Sequence, residues 1–266
     1  MGDNINFQYV FVILTYRNSK DLVSCINSIQ TKISNYKVIV INSYYDDESK
    51  NEIKEVTESH GCDFFNIPNK GYSAGNNYGI EKAKNYHFQY LIICNPDIEL
   101  MSFPGDIQGD VIAPDIVTLN GKHQNPMYVV YNPLSEKLIY TGFKKNSKGS
   151  LVVGIGINKI IRQLYLLLGL DRINQKIYEP HGSFIILSNN VIDKIDPIFD
   201  ENMFLFAEEN VVAYKLRKYG FRVIYRNDIK IKHHEDGSMK ISDVDIHSEI
   251  AKSNIYFYEH YRLNNK

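Results

Sequence analysis

The sequence predicts an α/β fold, a mainly parallel sheet flanked by helices, and three observations predict it. Short β-branched and aromatic runs alternate with stretches of helical hydrophobic spacing through residues 1–100. Gly, Pro and Asn punctuate the joins between them. No internal repeat and no Pro-, Gly- or Ser-rich linker divides the 266 residues, so one domain with a C-terminal extension is the simplest organisation.

Tyr9 to Thr15 (YVFVILT) is a continuous apolar run, the pattern of a strand buried on both faces. Ser19 to Thr31 then sets Leu22, Cys25, Ile26 and Ile29 at helical spacing, with Ser19 as the N-cap. Lys37 to Ile41 is a second strand, Ser49 to His60 a second helix stopped at Gly61, and Asp63 to Ile67 a short third strand. Ser73 to Lys84 reads as a helix entered through Gly71, and Tyr90 to Cys94 (YLIIC) as a fourth strand stopped by Asn95-Pro96. Ligands of such sheets sit beyond the carboxyl ends of the strands. Thr15–Tyr16, Asn42–Asp47, Asn69–Asn77 and Asn95–Asp97 are therefore expected to converge on one cleft.

The second half is less regular. Val111 to Ile116, Met127 to Tyr131, Gly182 to Leu187 and Phe221 to Tyr225 look like short strands, and Lys144 to Gly149 like a flexible loop. Glu208 to Tyr219 reads as a helix, and Asp228 to His233 puts Ile229, Ile231 and His233 on one strand face. Ile157 to Leu170 is an apolar helix with two readings. It is either a core helix or an interfacial one, with Lys159 and Arg162 toward lipid headgroups.

Composition excludes some classes. A formal net charge of -1 gives no global attraction for nucleic acid, and no nucleic-acid partner is expected. The 20 Tyr and 13 Phe, against no Trp, suit sugar and base stacking, although an AT-rich genome raises Tyr as well. Cys25, Cys62 and Cys94 lack CxxC spacing and read as reduced structural thiols. The first residues show no basic n-region or cleavage site, and no apolar run reaches the roughly 20 residues that cross a bilayer. The expected location is the cytoplasm, with the inner face of the plasma membrane as the alternative.

Chemistry is concentrated at the strand ends. Asp97, just past a buried strand, can hold a divalent cation bridging a diphosphate, or simply cap the next segment. The stretch NKGYSAGNNYG combines small residues, among them Gly71, with the amides of Asn76 and Asn77; it is neither a Walker A loop nor a dinucleotide fingerprint. Glu208 and Glu209 open a helix, where acidic side chains also complement the macrodipole.

TYRN, VINSYYDDES, NKGYSAGNNYGI, ICNPDIEL, HGSFIILSNN, FDENMFLFAEEN and KYGFRVIYRNDIKIKHHEDGS occur in the order and spacing of family 2 glycosyltransferases. The sequence resembles the rhamnosyltransferase-like members that build bacterial surface polysaccharides such as capsule or O-antigen. The resemblance runs from Val10 to Ser238, with Leu119 to Glu179 poorly matched.

That resemblance implies a GT-A fold, a nucleotide-diphosphate sugar donor, Mg²⁺ or Mn²⁺, and inversion at the anomeric carbon. It implies a nucleotide-sugar-binding half at 1–100, an acceptor-binding and catalytic half at 101–240, and a tail at 241–266. It places Thr15, Tyr16 and Asn42 at the base and ribose, with Asp47 nearby. Asp97 matches the main metal carboxylate and His233 a second metal or diphosphate contact. One of Glu208 and Glu209 is the general base, Glu209 by position, and His181-Gly182 lines the acceptor side. The acceptor is a hydroxyl of a glycan or lipid-linked molecule, which allows peripheral membrane association. Two positions depart from the pattern: Asn42-Ser43 replaces an Asp-Asn, and Val211 replaces an acidic residue. They keep a second class in play, a catalytically weak sugar-nucleotide or glycan-binding subunit. TYRNSK lacks the Gly-rich loop a nucleotidyltransferase needs.

Overall fold

A computed structural model describes residues 6–235 and 245–264. Asp236, Gly237 and Ser238 of the last quoted motif, the first five residues, the start of the tail and the last two residues lie outside the described residues. In chain order the elements are β1 (Asn6–Thr15), α1 (Ser19–Lys32), β2 (Tyr36–Tyr44), α2 (Asp47–Ser59), β3 (Asp63–Pro68), α3 (Tyr72–Ala83) and β4 (His87–Cys94). Then come β5 (Ile98–Ser102), β6 (Val111–Thr118), α4 (Pro133–Lys144), α5 (Lys148–Leu167), β7 (Gln175–Ile177) and β8 (Phe184–Ser188). The chain continues through α6 (Asn189–Lys194), α7 (Glu208–Lys218), β9 (Val223–His233) and α8 (Ile246–Tyr258).

One sheet runs β3-β2-β1-β4-β8-β6-β9-β5, with β7 on β9. The first four strands are parallel, as the alternation of runs predicts. Beyond β4 the sheet is mixed: β8 is antiparallel to both β4 and β6, and β5 to β9, while β6 and β9 are parallel. The apolar run of β1 serves two cores. Phe11 and Ile13 join Leu22, Cys25, Ile26 and Ile29 of α1. Val10 and Val12 join Ile39, Ile41, Ile80 and Ala83 on the α3 side.

Several elements differ from expectation. Asn18, not Ser19, caps α1, because its side chain accepts from the Asp21 amide. Met127 to Tyr131 forms no strand, only an isolated bridge from Tyr128 to Glu179. The expected loop at Lys144 to Gly149 is a tight join, since Ser147 caps α5. That cap starts α5 nine residues earlier than the apolar pattern suggests, so its 20 residues are long and apolar enough to cross a membrane by length and composition. Phe221 to Tyr225 and Asp228 to His233 are one strand with a register shift, not two. The tail carries α8, followed by a turn whose Arg262 grips Glu136 at 2.7 Å and the Tyr178 hydroxyl at 2.8 Å. All three cysteines are buried and free.

Candidate active site

Parallel register brings the ends of the first strands into one row: Thr15 pairs with Asn42, and Asn42 with Asn66. Asn42 donates Nδ2–H to Asn66 Oδ1 at 2.7 Å, which leaves Asn42 Oδ1 buried and unpartnered. Thr15 Oγ1 is in the same condition. Unpartnered buried polar atoms are uncommon in folded proteins, and these two stand side by side at the strand ends. Tyr16 meets Tyr45 edge-on at 5.7 Å, and the Arg17 guanidinium lies 3.8 Å over the Tyr45 ring. Asp46 caps α2, while Asp47 pairs with Lys50 at 2.5 Å on the exposed rim. The Lys50 hydrogen bond holds Asp47 below the usual carboxylate range.

The glycine-rich segment is tight for a different reason than its composition suggests. A Cβ on Gly79 would lie 2.2 Å from Val12 Cγ1, and one on Gly75 2.4 Å from Leu14, so these glycines seat α3 against β1. Gly71, at φ 94°, approaches protein backbone: a Cβ there would stand 2.3 Å from Phe204 O. Asn77 is a clamp rather than a donor contact. Its Nδ2 gives to Phe199 O at 3.1 Å and Glu201 Oε1 at 3.0 Å, and its Oδ1 takes the Phe199 amide. Asn76 does retain a buried, unpartnered Oδ1.

The NPD motif ends at a junction. β5 starts one residue after Asp97, and its antiparallel pairing sets Ile98 opposite His233. Asp97 Oδ1 therefore lies 3.2 Å from His233 Nε2, both residues buried. His233 Nδ1 faces Gln124 Oε1 at 2.7 Å, and Gln124 Nε2 gives to Glu235 Oε1 at 2.8 Å. A carboxylate only accepts, so this chain fixes the Gln124 amide and puts the His233 proton on Nδ1. Nε2 and Asp97 then need either a second imidazole proton or a cation between them. One imidazole nitrogen, oriented through its other nitrogen, beside one carboxylate is a donor set suited to a divalent cation. Among the described residues no third His, Cys, Asp or Glu joins them in a metal-binding group.

Gln124 belongs to the stretch where no sequence pattern could be read. Asn125, fully buried, gives Nδ2–H to Pro114 O at 2.8 Å and accepts the His181 amide at 2.7 Å. Arg162 binds the carbonyls of His123, Gln124 and Pro126. Its predicted lipid-facing position is thus corrected: its guanidinium turns inward because this segment presents three carbonyls to it. The antiparallel pairing of β8 on β4 brings the residues before β8 to the same end of the sheet, with Asn95 N on Ser183 O at 2.9 Å. His181 and His233 rings stand 5.7 Å apart. Burial, then His233 and Arg162, push His181 down to about 3, so it is a neutral imidazole accepting the Ser183 amide.

The acidic pair arrives through strained backbone. Phe206 (φ 70°) and Ala207 (φ 60°) are both left-handed, at a cost of about 1–3 kcal/mol each. Tyr72 N on Phe204 O at 2.8 Å, and Ser253 Oγ of α8 on Leu205 O at 2.7 Å, hold that segment. Glu208 is buried with Oε1 unpartnered; burial, then the charge of Glu209, push it up to about 8. Glu209 is partly exposed, and its Oε1 accepts the Gly182 amide at 3.2 Å. A Cβ at Gly182 would sit 2.6 Å from that oxygen, so glycine is what lets the carboxylate approach. Val211 packs with Met203 and Phe257, a core position where a charge would be costly. Sequence reading missed Glu179, buried with Oε2 unpartnered and pushed well up by burial and by Glu209. A surface cavity of about 670 Å³ opens among Asn6, Lys84 and His87 at the amino ends of β1 and β4, away from these groups.

The description Glycosyl transferase family 2 matches residues 10–166, more than half of the chain. The chain belongs to that family. Its fold is the GT-A fold of solved glycosyltransferases that it resembles. GalNAc-T7, solved with UDP, GalNAc and Mn²⁺, superimposes with TM-score 0.61 at 12% identity, covering 95% of this chain and 48% of its own. TarS 1–349 of S. aureus gives TM-score 0.53 at 11% identity, with 97% and 74% covered. A mannosyltransferase of Pyrobaculum calidifontis, in complex with GDP-Man and Mn²⁺, gives 0.52 at 11%, with 96% and 70% covered. This family 2 chain spans about half the length of the GalNAc-T7 chain. No curated protein sequence matches it. The family match ends before Glu208, Glu209 and His233.

Proposed function

We propose that this family 2 protein is an inverting glycosyltransferase. It moves rhamnose or a hexose from a nucleotide-diphosphate donor to a hydroxyl of a glycan or lipid-linked acceptor in cell-surface polysaccharide synthesis, in the cytoplasm. The observation that carries the reading is the 3.2 Å pairing of Asp97 with His233 at the carboxyl end of the parallel strands. Asp97 and His233 are the residues that would hold Mg²⁺ or Mn²⁺ there. When bound, the cation neutralises charge developing on the departing nucleotide diphosphate.

Glu209 is the base we assign. It is the partly exposed member of the pair, and the Gly182 amide orients its carboxylate. It takes the acceptor hydroxyl proton as the acceptor oxygen bonds to the anomeric carbon and the bond from that carbon to the diphosphate oxygen breaks. Glu208 is buried with Oε1 turned away from solvent, and burial with the charge of Glu209 raises its carboxyl, so it supports the pair rather than acting as base. Thr15, Tyr16 and Asn42 line the donor base side, where the free Asn42 Oδ1 suits a ring N–H once the strand end opens. Residues 1–100 supply the donor half and 101–240 the acceptor half.

The test is transfer or donor hydrolysis over a panel of nucleotide sugars, with Mn²⁺, Mg²⁺ or a chelator. Activity that needs the cation and is lost in both Asp97→Ala and Glu209→Ala supports the mechanism. Intact transfer in both variants sinks it.

A further inference from the structure

α5 is a two-faced helix with only one face used. On the inner side Gly154 backs onto Ile139 of α4 closely enough that a Cβ would lie 2.9 Å away, Asn158 gives to Ser135 Oγ at 2.7 Å, and Tyr165 is buried. The other side carries Val152, Val153, Ile160, Leu164, Leu167 and Leu168, with Val152 68%, Ile160 64%, Leu167 74% and Leu168 72% exposed. Val153, Ile160, Leu164 and Leu167 are spaced seven, four and three residues apart, which keeps them on one side of the helix and makes one stripe with their neighbours Val152 and Leu168. An apolar patch of this extent on a chain with net charge -1 marks an interaction surface.

Charge says what covers it. From 137 to 170 the sequence contains Lys137, Lys144, Lys145, Lys148, Lys159 and Arg162 and no Asp or Glu. Arg162 is spent on loop carbonyls and Lys144 pairs with Glu259 at 2.8 Å, but Lys137, Lys145, Lys148 and Lys159 are exposed. Two copies meeting across this stripe by a two-fold axis would bring like charges together. An anionic bilayer surface accepts both the apolar stripe and the lysines. Spanning is excluded by the inner face, where Arg162 and Asn158 are bonded to the rest of the protein.

We propose that α5 lies in the headgroup–acyl boundary of an anionic membrane, apolar stripe inward and lysines at the phosphates. Arg162 and His233 both bond to the 123–126 segment, so only that segment separates the docked helix from the Asp97–His233 end of the cleft. The docking stands on α5 alone; delivery of the cleft to a lipid-linked acceptor rests on the glycosyltransferase reading.

Co-sedimentation of the full chain with vesicles of phosphatidylcholine, with and without phosphatidylglycerol, tests it. The wild type sediments with the anionic vesicles and far less with the neutral ones. The Leu164→Glu, Leu167→Glu double variant loses about tenfold or more of that partition. Replacing Lys145, Lys148 and Lys159 by Ser lowers it and weakens its salt sensitivity. Both variants keep the wild-type melting curve, with and without a nucleoside diphosphate and Mn²⁺, because the altered side chains face solvent. Protein left in the supernatant with anionic vesicles, or a double variant that sediments like wild type, overturns the proposal. So does a dimer seen by light scattering that the double variant dissociates while vesicle binding is absent. A melting temperature that none of UDP, GDP and dTDP shifts in the presence of Mn²⁺, with vesicle binding intact, would instead count against the transferase reading.

Discussion

Gln124 Oε1 accepts the Nδ1 proton of His233 at 2.7 Å, so a residue of the least regular stretch sets the tautomer of the imidazole beside Asp97. Partners of this kind tune a metal ligand almost as strongly as the ligand itself. Gln124→Leu keeps the side-chain volume and removes the acceptor. Affinity for Mn²⁺, measured by calorimetry, is expected to fall about 10–100-fold. Melting in the presence of chelator should move little. Unchanged Mn²⁺ affinity would take Gln124 out of the site.

Glu208 makes stability depend on pH with a definite sign. Its folded value of about 8 lies above the ordinary 4.5, so between the two the folded chain holds a proton that the unfolded chain has released. Its contribution is full below about pH 4.5 and is lost as pH rises toward 8. Glu208→Gln never ionises, so its melting advantage over wild type should be absent near pH 4.5 and grow through this window. The full difference is on the order of 2–4 kcal/mol, given the coupling to Glu209. A difference that shrinks with rising pH would show that Glu208 is ionised in the fold.

Gly71 links two parts of the site. Its φ of 94° and the 2.3 Å that a Cβ would leave to Phe204 O rule out a side chain without backbone movement. Phe204 precedes the left-handed Phe206–Ala207 pair that delivers Glu208 and Glu209. Gly71→Ala should cost about 1–3 kcal/mol by thermal unfolding. Transfer should fall further than stability alone accounts for, because the displaced segment carries the acidic pair. Loss of stability with full specific activity in the folded fraction would separate the two.

What could be read from sequence follows from how local the cause is. β1 to β4 and α1 to α3 were legible because YVFVILT, KVIVI and YLIIC are buried on both faces and leave little ambiguity of period. The pairing of Asp97 with His233 was legible only through family resemblance. It depends on the β5–β9 register across 136 positions, which no local pattern encodes. Asn77 looked like a ligand contact because its amide is versatile; a backbone segment 122 positions away claims it. Gln124, Asn125 and Glu179 had no signal at all. They sit in irregular chain, and their roles come from His233, His181 and Glu209.

Glu209 and Gly182 give the most direct test of the base. The Gly182 amide holds Oε1 at 3.2 Å, and this bond survives in Glu209→Gln, where the amide oxygen can accept it. That variant should therefore fold and bind donor as wild type does while transfer drops about 10²–10⁴-fold, the usual worth of a positioned base. Gly182→Ala keeps the carboxylate but puts a methyl 2.6 Å from Oε1, pushing it off its donor. A smaller loss of transfer is expected there, with the rate–pH profile shifted because the Gly182 hydrogen bond no longer opposes the rise that burial imposes on Glu209. Glu208→Gln, by contrast, should retain most of its transfer rate. Full activity in Glu209→Gln together with loss in Glu208→Gln would exchange the two roles, and single-turnover rates with saturating donor would read the exchange without interference from binding.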